Sequence, residues 1–338
     1  MRILAADIGG THSRFGLFES SGGLLRLLCM GQVPSAGPDF TAVLDALALA
    51  HPDLAPGRAD RAALAVAGPV NEPGRVQPSN LPYVIEAEQL RRRTERPGLP
   101  VLLINDFEAQ ALACLTPVMD KALPLPAGAG AAGEKARFAF PGQGEGSPCL
   151  VVGAGTGLGM ALLVPDAAAP GLSRPARVWP SEGGHALFPF VENGEDDEPA
   201  FGRFVAARRH VAAARGDDIL SGPGLALLHE FLTGQALEPA RVTALPDFEH
   251  SGTCRIFARF YGRLCRNMAL ITLARSGLVI TGGLASRCPA LIRHPAFREE
   301  FLAAPAQFHD LLRAVPVWHN ADPLAGLWGA ALAGSRLA

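Results

Sequence analysis

Nothing in the sequence marks the protein as one that binds nucleic acid or a membrane. Its 338 residues carry a formal net charge of −2, and no stretch is densely basic, which argues against nucleic acid or an anionic bilayer as the main partner. No apolar run has the length of a membrane span, and the one that opens the chain is too short for a signal peptide. These absences predict a globular protein of the cytoplasm.

Paired cysteines are missing as well. The cysteines are widely scattered, and no Cys-x-x-Cys motif occurs. Such spacing is typical of reduced thiols in a cytosolic protein, because disulfide frameworks and zinc sites need cysteines in closely spaced sets. We therefore expect free thiols at Cys29, Cys114, Cys149, Cys254, Cys265 and Cys288.

Common nucleotide-binding signatures are also absent. The P-loop pattern Gly-x-x-x-x-Gly-Lys-Ser/Thr does not occur, and neither do the His-Arg-Asp and Asp-Phe-Gly sequences of protein kinases. The glycine-rich segment Gly153–Gly159 does not match Gly-x-Gly-x-x-Gly, because Leu158 and Met160 stand where the third glycine would fall. It also leads into a predicted strand, whereas a dinucleotide-binding fold requires a helix there.

What the chain does have is an alternation of short buried strands and helices. Its length exceeds that of one ordinary domain, so two lobes are expected. Apolar periodicity predicts strands at Ile3–Asp7, Arg14–Phe18, Ala62–Ala67, Val101–Ile104, Cys149–Val152, Met160–Val164 and Leu278–Thr281. It predicts helices at Phe40–Leu47, Ile85–Arg93, Phe107–Cys114, Phe201–Ala214, Gly224–Thr233, Arg255–Ala274 and Pro323–Leu337. We interpret Pro124–Pro148 as a loop-rich insertion and the acidic Glu192–Glu198 as a solvated loop.

Two of the predicted hairpins share a turn rich in glycine and threonine. One is Asp7-Ile8-Gly9-Gly10-Thr11 and the other is Gly153–Gly159. Because glycine has no Cβ atom, such a backbone can approach a phosphate closely, and successive N–H groups of a turn can form an anion-binding nest. Glycine turns are also common in ordinary hairpins. One such turn in each expected lobe nevertheless favours a nucleotide between the lobes.

A strand and a helix meet directly at Asn105 and Asp106. Both follow the predicted strand Val101–Ile104, at its carboxyl end, where open α/β sheets place their ligands. By spacing alone, Asp106 is the N-cap of the helix, a position that aspartate often takes. The second interpretation is a functional carboxylate, which the other motifs of the chain favour.

Six short motifs occur in the order found in bacterial glucokinases. They are Asp7-Ile8-Gly9-Gly10-Thr11, Ile104-Asn105-Asp106-Phe107, Gly153–Gly159, Glu182-Gly183-Gly184-His185, Leu220-Ser221-Gly222-Pro223-Gly224 and Thr281-Gly282-Gly283. The chain therefore resembles this family, which belongs to the sugar-kinase superfamily of hexokinase, actin and Hsp70 chaperones. The resemblance implies an α/β, two-lobed actin-like ATPase (ribonuclease H-like) fold with mixed β-sheets and a cleft between the lobes. A small domain would comprise residues 1–114 plus 323–338, and a large domain residues 115–322.

The resemblance also implies an activity, the transfer of the ATP γ-phosphoryl group to the 6-hydroxyl of glucose, with lobe closure excluding water. Asp106 would accept the proton of that hydroxyl, while Asn105, Glu182, His185 and Asp217 would bind the other hydroxyls. A larger set would hold ATP: Ala6, Asp7, Ile8, Gly9, Gly10, Thr11, Gly155, Thr156, Gly157, Gly282 and Gly283. Asp7 would also hold Mg²⁺ through water, and the family implies a homodimer.

Two positions depart from the family pattern. Asp217 stands where the family usually presents a glutamate to the anomeric hydroxyl, and it is followed by Asp218, so either carboxylate could make that contact. His12 stands where many relatives have asparagine, and we assign it no role.

Glu182 and His185 have a spacing that also occurs in metal sites. The glycines between them break a helix, however, and no further ligand is near in the sequence. The related ROK sugar kinases carry a cysteine-rich zinc motif beside their sugar-binding histidine, and this chain lacks it. The resemblance is therefore to glucokinases of the non-ROK type.

Other functions agree with less of the sequence. A kinase for another hexose or an amino sugar would keep every motif and differ only in its substrate. A sugar-sensing regulator would need a DNA-binding helix-turn-helix, and the first predicted strand begins at Ile3, which leaves no room for one. A chaperone-like ATPase would need a peptide-binding domain beyond the nucleotide core. The sequence therefore predicts an enzyme, an ATP-dependent hexose 6-phosphotransferase acting on glucose.

Overall fold

The computed structural model describes residues 1–94, 98–126, 137–140, 146–166, 176–192 and 196–337 of the chain. Most of the predicted insertion at Pro124–Pro148 and part of the acidic segment Glu192–Glu198 lie outside these residues. All six cysteines are free thiols, as the sequence predicts. Within the described ranges, no helix is both long enough and apolar enough to cross a membrane.

Strands and helices alternate along the chain, as predicted. The strands are β1 (Arg2–Ile8), β2 (His12–Ser21), β3 (Leu24–Pro34), β4 (Arg61–Val66), β5 (Arg75–Val76), β6 (Ile85–Glu86), β7 (Val101–Asn105), β8 (Leu123–Pro124), β9 (Cys149–Ala154), β10 (Leu158–Pro165), β11 (Ala176–Ser181), β12 (Gly277–Thr281) and β13 (Val317–His319). The α-helices are α1 (Phe40–Ala50), α2 (Ala87–Arg91), α3 (Asp106–Ala113), α4 (Glu198–Arg209), α5 (Gly216–Ile219), α6 (Gly222–Thr233), α7 (Pro239–Thr243), α8 (Gly252–Thr272), α9 (Gly283–Arg287), α10 (Ala290–Arg293), α11 (Pro295–Leu302), α12 (His309–Ala314) and α13 (Ala325–Ser335).

Unit 1, the first of two compact units, contains Met1–Asp120, Asp166–Pro180 and Pro323–Ala338. Its sheet has the strand order β3-β2-β1-β4-β7, in which β1, β2 and β3 pair antiparallel and β1, β4 and β7 pair in parallel. Alternate residues of β1 and β4 point to opposite faces. One face packs on α1, and the other packs on α3 and α13.

Unit 2 contains Lys121–Pro165 and Ser181–Asp322. Neighbouring strands within it follow the order β10-β9-β12-β13-β8, and β9, β12 and β13 pair in parallel. The strands β9 and β12 are buried at every residue, as expected for parallel strands covered on both faces. The long amphipathic helix α8 supplies much of the apolar core of this unit.

Several predicted boundaries differ from those in the structure. Unit 1 extends past residue 114 to Asp120 and includes Asp166–Pro180, which the sequence analysis placed in the large domain. The predicted helix Ile85–Arg93 loses its first two residues to β6, which pairs with β5. Helix α2 begins only at Ala87, where Glu86 and Gln89 form a capping box.

The acidic segment is not solvated at its carboxyl end. Glu198 begins α4, is 1% exposed, and pairs with Arg259 at 2.6 Å and with Arg263 at 2.5 Å. Asp196 pairs with Arg255 at 2.7 Å. The prediction of a solvated loop was wrong there, because the arginines that neutralise these carboxylates lie on α8, far away in the sequence.

Candidate active site

The predicted base and the first glycine turn leave the unit 1 sheet at the same edge. The parallel register places Ile8 opposite Val66 and Val66 opposite Asn105. The turn that follows Ile8 and the helix that follows Asn105 therefore start side by side. This is the edge at which parallel strands place ligands.

Asn105, and not Asp106, is the N-cap of α3. Its Oδ1 atom accepts hydrogen bonds from the N–H groups of Phe107 at 2.8 Å and Glu108 at 3.3 Å. Its Nδ2 atom donates to the carbonyl of Gly68 at 3.0 Å. The capping interpretation of Asp106 was therefore wrong, because the preceding residue already satisfies the orphan N–H groups.

Asp106 is the first residue of α3 and is half-buried. Its Oδ1 atom also lies 3.0 Å from the N–H group of Phe107. A carboxylate in the first helical turn is stabilised by the helix dipole, which favours its ionised form. The local fold thus places a carboxylate at the sheet edge, where a proton acceptor would be needed.

The first glycine turn connects β1 to β2. The N–H group of Gly9 donates to the carbonyl of His12 at 3.1 Å, and the side chain of Thr11 is exposed. Among the described residues, the N–H groups of Gly10 and Thr11 have no acceptor. Consecutive N–H groups of this kind are the donors of an anion-binding nest.

Asp7 lies in β1, directly opposite Arg14 in β2. The two side chains form an ion pair in which Arg14 Nη1 lies 3.6 Å from Asp7 Oδ2, and Asp7 is 18% exposed. Burial raises the pKa of Asp7, and Arg14 opposes this effect only in part. The long ion pair leaves a half-buried carboxylate that a cation would stabilise. Of the other predicted nucleotide ligands in β1, Ala6 and Ile8 have buried side chains and can offer only their backbone.

The second glycine turn, Gly155–Gly157, connects β9 to β10. The N–H group of Gly155 donates to the carbonyl of Gly157 at 2.7 Å, and Thr156 is exposed at the tip. Thr281, the last residue of β12, lies opposite Gly153 of β9 in a parallel register. The glycine pair at Gly282 and the second turn therefore share one sheet edge.

Gly282 has a backbone conformation that few other residues adopt. Its φ is 92°, and a Cβ atom there would lie 2.7 Å from the carbonyl oxygen of Ala154. The chain can thus turn from β12 into α9 at Gly283 while it stays against β9. Both glycines thus lie at the sheet edge that also carries the second glycine turn.

Glu182 and His185 lie on the two ends of a short turn in unit 2. Both side chains are about half exposed, and Glu182 Oε2 lies 3.7 Å from His185 Nε2. No group of three or more potential metal ligands occurs among the described residues. Both side chains are instead available as a polar pair for a hydroxyl-rich ligand.

The neighbouring acids Asp217 and Asp218 have different surroundings. Asp218 is 1% exposed, and it accepts hydrogen bonds from Arg215 at 2.8 Å and Arg209 at 3.3 Å. Burial alone would raise the pKa of Asp218, but the bonds from Arg215 and Arg209 outweigh it and lower that pKa. The buried carboxylate of Asp218 thus forms ion pairs with Arg215 and Arg209. Asp217 is half-buried and contacts the second glycine turn, where its Oδ1 atom accepts from Leu158 N–H at 2.6 Å.

Comparison with known proteins identifies the family. A family model described as "Glucokinase" matches residues 4–337. A glucokinase of Sinorhizobium fredii (strain NBRC 101917 / NGR234) is 32% identical over 97% of this chain and 91% of its own length. The chain belongs to the glucokinase family.

Solved structures agree with this membership. A glucokinase from an Antarctic psychrotroph has a TM-score of 0.76 at 25% identity and covers 99% of both chains. A glucokinase from Balamuthia mandrillaris, solved in complex with glucose, has a TM-score of 0.80 at 19% identity and covers 99% of this chain and 94% of its own. The fold expected from the motifs, an α/β fold of the actin-like ATPase type with mixed sheets, is therefore confirmed.

The structure adds polar residues that the glucokinase motifs do not contain. The hydroxyl of Ser35 donates to the carbonyl of Gly9 at 2.6 Å and lies 2.8 Å from the hydroxyl of Ser13. The hydroxyl of Tyr83 donates to the carbonyl of Ser35 at 2.6 Å. These hydrogen bonds link the backbone of the first glycine turn to Ser35 and Tyr83. Of these residues, only Ser13 could have been noticed in the sequence, because it is a polar residue at an inward-facing position of a strand.

Proposed function

We propose that this chain is a glucokinase that transfers the γ-phosphoryl group of ATP to the 6-hydroxyl of glucose, with Asp106 as the base. The proposal depends mainly on one observation, that Asn105 and Asp106 have different roles at the start of α3. Because Asn105 caps the helix, Asp106 is not needed for capping and can hold its carboxylate at the ligand-binding edge. A carboxylate in reach of the attacking hydroxyl is the one proton acceptor that such a reaction needs.

We assign binding of the other sugar hydroxyls to Asn105, Glu182 and His185. Asp217 stands where the resemblance implies an anomeric contact, but its carboxylate already contacts the second glycine turn. Three of the bonds that Asn105 can form are used within the protein, to Phe107, Glu108 and Gly68, so it has one N–H to offer a sugar. The half-exposed Glu182 and His185 supply an acceptor and a donor.

The two glycine turns, together with Gly282 and Gly283, are proposed to hold ATP. Backbone N–H groups and threonine hydroxyls donate to phosphate oxygens without adding charge. Asp7 fits a magnesium ion, because its carboxylate is half-buried and only weakly paired with Arg14, and Mg²⁺ in kinases is commonly bound by few carboxylates plus water and phosphates. When bound, the ion would neutralise charge that develops on the phosphates.

Three finer assignments also remain proposals. We propose the non-ROK type on the sequence alone, because the chain lacks the cysteine-rich zinc motif of ROK enzymes. We propose a homodimer on the family resemblance alone, and light scattering on the purified protein tests it. A cytoplasmic location is likewise expected, and fractionation of cells that express the protein tests it.

The first test is ADP release from magnesium-ATP with and without glucose, alongside mannose, fructose and N-acetylglucosamine. Stimulation by glucose above the other sugars supports the proposal. Stimulation by a different sugar supports the alternative, a kinase for another hexose or amino sugar. If no sugar stimulates ADP release, the enzyme proposal fails, and a sugar-sensing regulator becomes the better hypothesis.

The base is tested with Asp106→Asn, which keeps the size of the side chain. We expect kcat to fall by about 100-fold or more, since general bases contribute roughly that much. Glu108→Gln removes the same charge from the same helical turn and is the matched control. Near-normal turnover of a folded Asp106→Asn protein would rule out the assigned role.

A further inference from the structure

The carboxylate of Asp217 lies on the second glycine turn. Its Oδ1 atom accepts the 2.6 Å hydrogen bond from Leu158 N–H. A Cβ atom on Gly157 would lie 2.5 Å from Oδ1, 3.4 Å from Cγ and 3.7 Å from Oδ2. The whole carboxylate therefore covers the side of Gly157 on which any other residue would carry its side chain.

Two further segments of unit 2 hold the same turn. The N–H group of Gly222, the first residue of α6, donates to the carbonyl of Gly155 at 2.8 Å. Gly184, which lies between Glu182 and His185, packs so closely on the carbonyl of Leu158 that a Cβ atom would overlap it. The turn is thus tied both to helices and to the segment proposed to bind the sugar.

We propose that Asp217 is a positioning residue for the second glycine turn, fixing it through the Leu158 amide, and that this replaces the anomeric contact made by glutamate in relatives. The aspartate side chain has the length this role needs, because its Oδ1 atom reaches the Leu158 amide at 2.6 Å. The geometry of the second glycine turn, which is proposed to bind phosphate, would then depend on the Asp217 carboxylate. The affinity for the sugar would depend on Glu182 and His185 instead.

The kinetic part of this inference rests on the proposed function. Mutation of a residue that binds the sugar and mutation of a residue that positions the turn have opposite effects on the two KM values. Loss of a charge-assisted hydrogen bond costs about tenfold or more. For a positioning residue, Asp217→Ala should raise the KM for ATP or lower kcat by about that factor, while the KM for glucose changes by less than about twofold. Asp217→Asn keeps an acceptor oxygen and should restore part of the loss.

The second readout is hydrogen–deuterium exchange of the peptides that cover residues 153–160, measured without substrates. We expect faster exchange in Asp217→Ala, because the Leu158 amide loses its acceptor, and an intermediate rate in Asp217→Asn. The matched control is Asp310→Ala, a fully exposed carboxylate on α12 of the same unit. The control should change neither exchange nor kinetics.

The two readouts separate failure of this inference from failure of the proposed function. Unchanged exchange in Asp217→Ala, or a KM for glucose that rises about tenfold with an unchanged KM for ATP, overturns the positioning role. If the wild-type protein releases no ADP with any sugar, the proposed function fails, and the exchange result still decides what Asp217 does.

Discussion

Units 1 and 2 each place a glycine turn between two antiparallel strands, but they support it differently. In unit 1 the second residue pair from the turn is Asp7 and Arg14, so the hairpin itself carries a half-buried ion pair. In unit 2 the corresponding pair is Gly153 and Gly159. The carboxylate that touches this second turn comes instead from Asp217, on a separate helix.

The difference between the two hairpins shows which kind of site can be recognised from a short stretch of sequence. The hairpin of unit 1 contains its own charged group within a short stretch of sequence, which suits the binding of a cation beside phosphates. The hairpin of unit 2 has no charged residue beside its turn. Its backbone is instead contacted by Asp217, Gly184 and Gly222, which come later in the sequence. We therefore expect mutations to have charge effects in unit 1 and shape effects in unit 2.

The largest effect is expected from Asp7→Asn. Removing the carboxylate should lower kcat/KM for ATP by about 100-fold and raise the magnesium concentration needed for half-maximal rate, because a developing negative charge loses its counterion site. Asp53→Asn, which removes an exposed carboxylate paired with Arg58 in the same unit, is the control. A normal magnesium dependence of Asp7→Asn would show that the charge of this hairpin has no such role.

A smaller effect is expected from Gly184→Ala in unit 2. The added methyl group would overlap the carbonyl of Leu158, and neither backbone can move easily. We expect a loss of about 1–3 kcal/mol of stability, seen in urea unfolding, and a higher KM for ATP. Gly252→Ala is the control, because its Cβ meets nothing within 4 Å at the start of α8. Equal stability of the two variants would contradict the proposed tight packing.

Asn105→Ala should cost less stability than Gly184→Ala. The loss of an N-cap is worth about 1 kcal/mol, and the variant also removes the donor to Gly68. Asn105→Asp keeps the cap but loses that donor, so its unfolding free energy should lie between those of the wild type and Asn105→Ala. Chemical denaturation measures all three. The reverse order of the two variants would mean that the Gly68 contact matters more than the cap.

The smallest effect is the pH dependence of two carboxylates whose pKa values shift in opposite directions. The pKa of Asp218 is lowered, so its stabilising contribution is present above its ordinary value near 3.8 and is lost as the pH falls through the folded-state pKa. The pKa of Asp7 is raised by burial, so ionisation of Asp7 reduces stability as the pH rises through that pKa.

Thermal unfolding near neutral pH distinguishes these two signs. Asp218→Asn should lower Tm, because it removes the acceptor of Arg215 and Arg209, whereas Asp7→Asn should raise Tm although it lowers activity. The difference between wild type and Asp218→Asn should shrink in acid. Shifts of the same sign in both variants would refute the contrast between the two units.

The sequence by itself determined the order of the elements, the two glycine turns and the family, because these depend on apolar periodicity and on short motifs whose residues are neighbours. It placed Asp106 correctly at a strand-to-helix junction. Only the tertiary structure decided that Asn105 caps the helix, that Asp218 is held by arginines and that Asp217 rests on the second turn. It also decided that Glu198 is buried among the arginines of α8. The physical reason is that a polar side chain takes its role from the donors that reach it, and these donors are set by packing between distant segments, which no local pattern records.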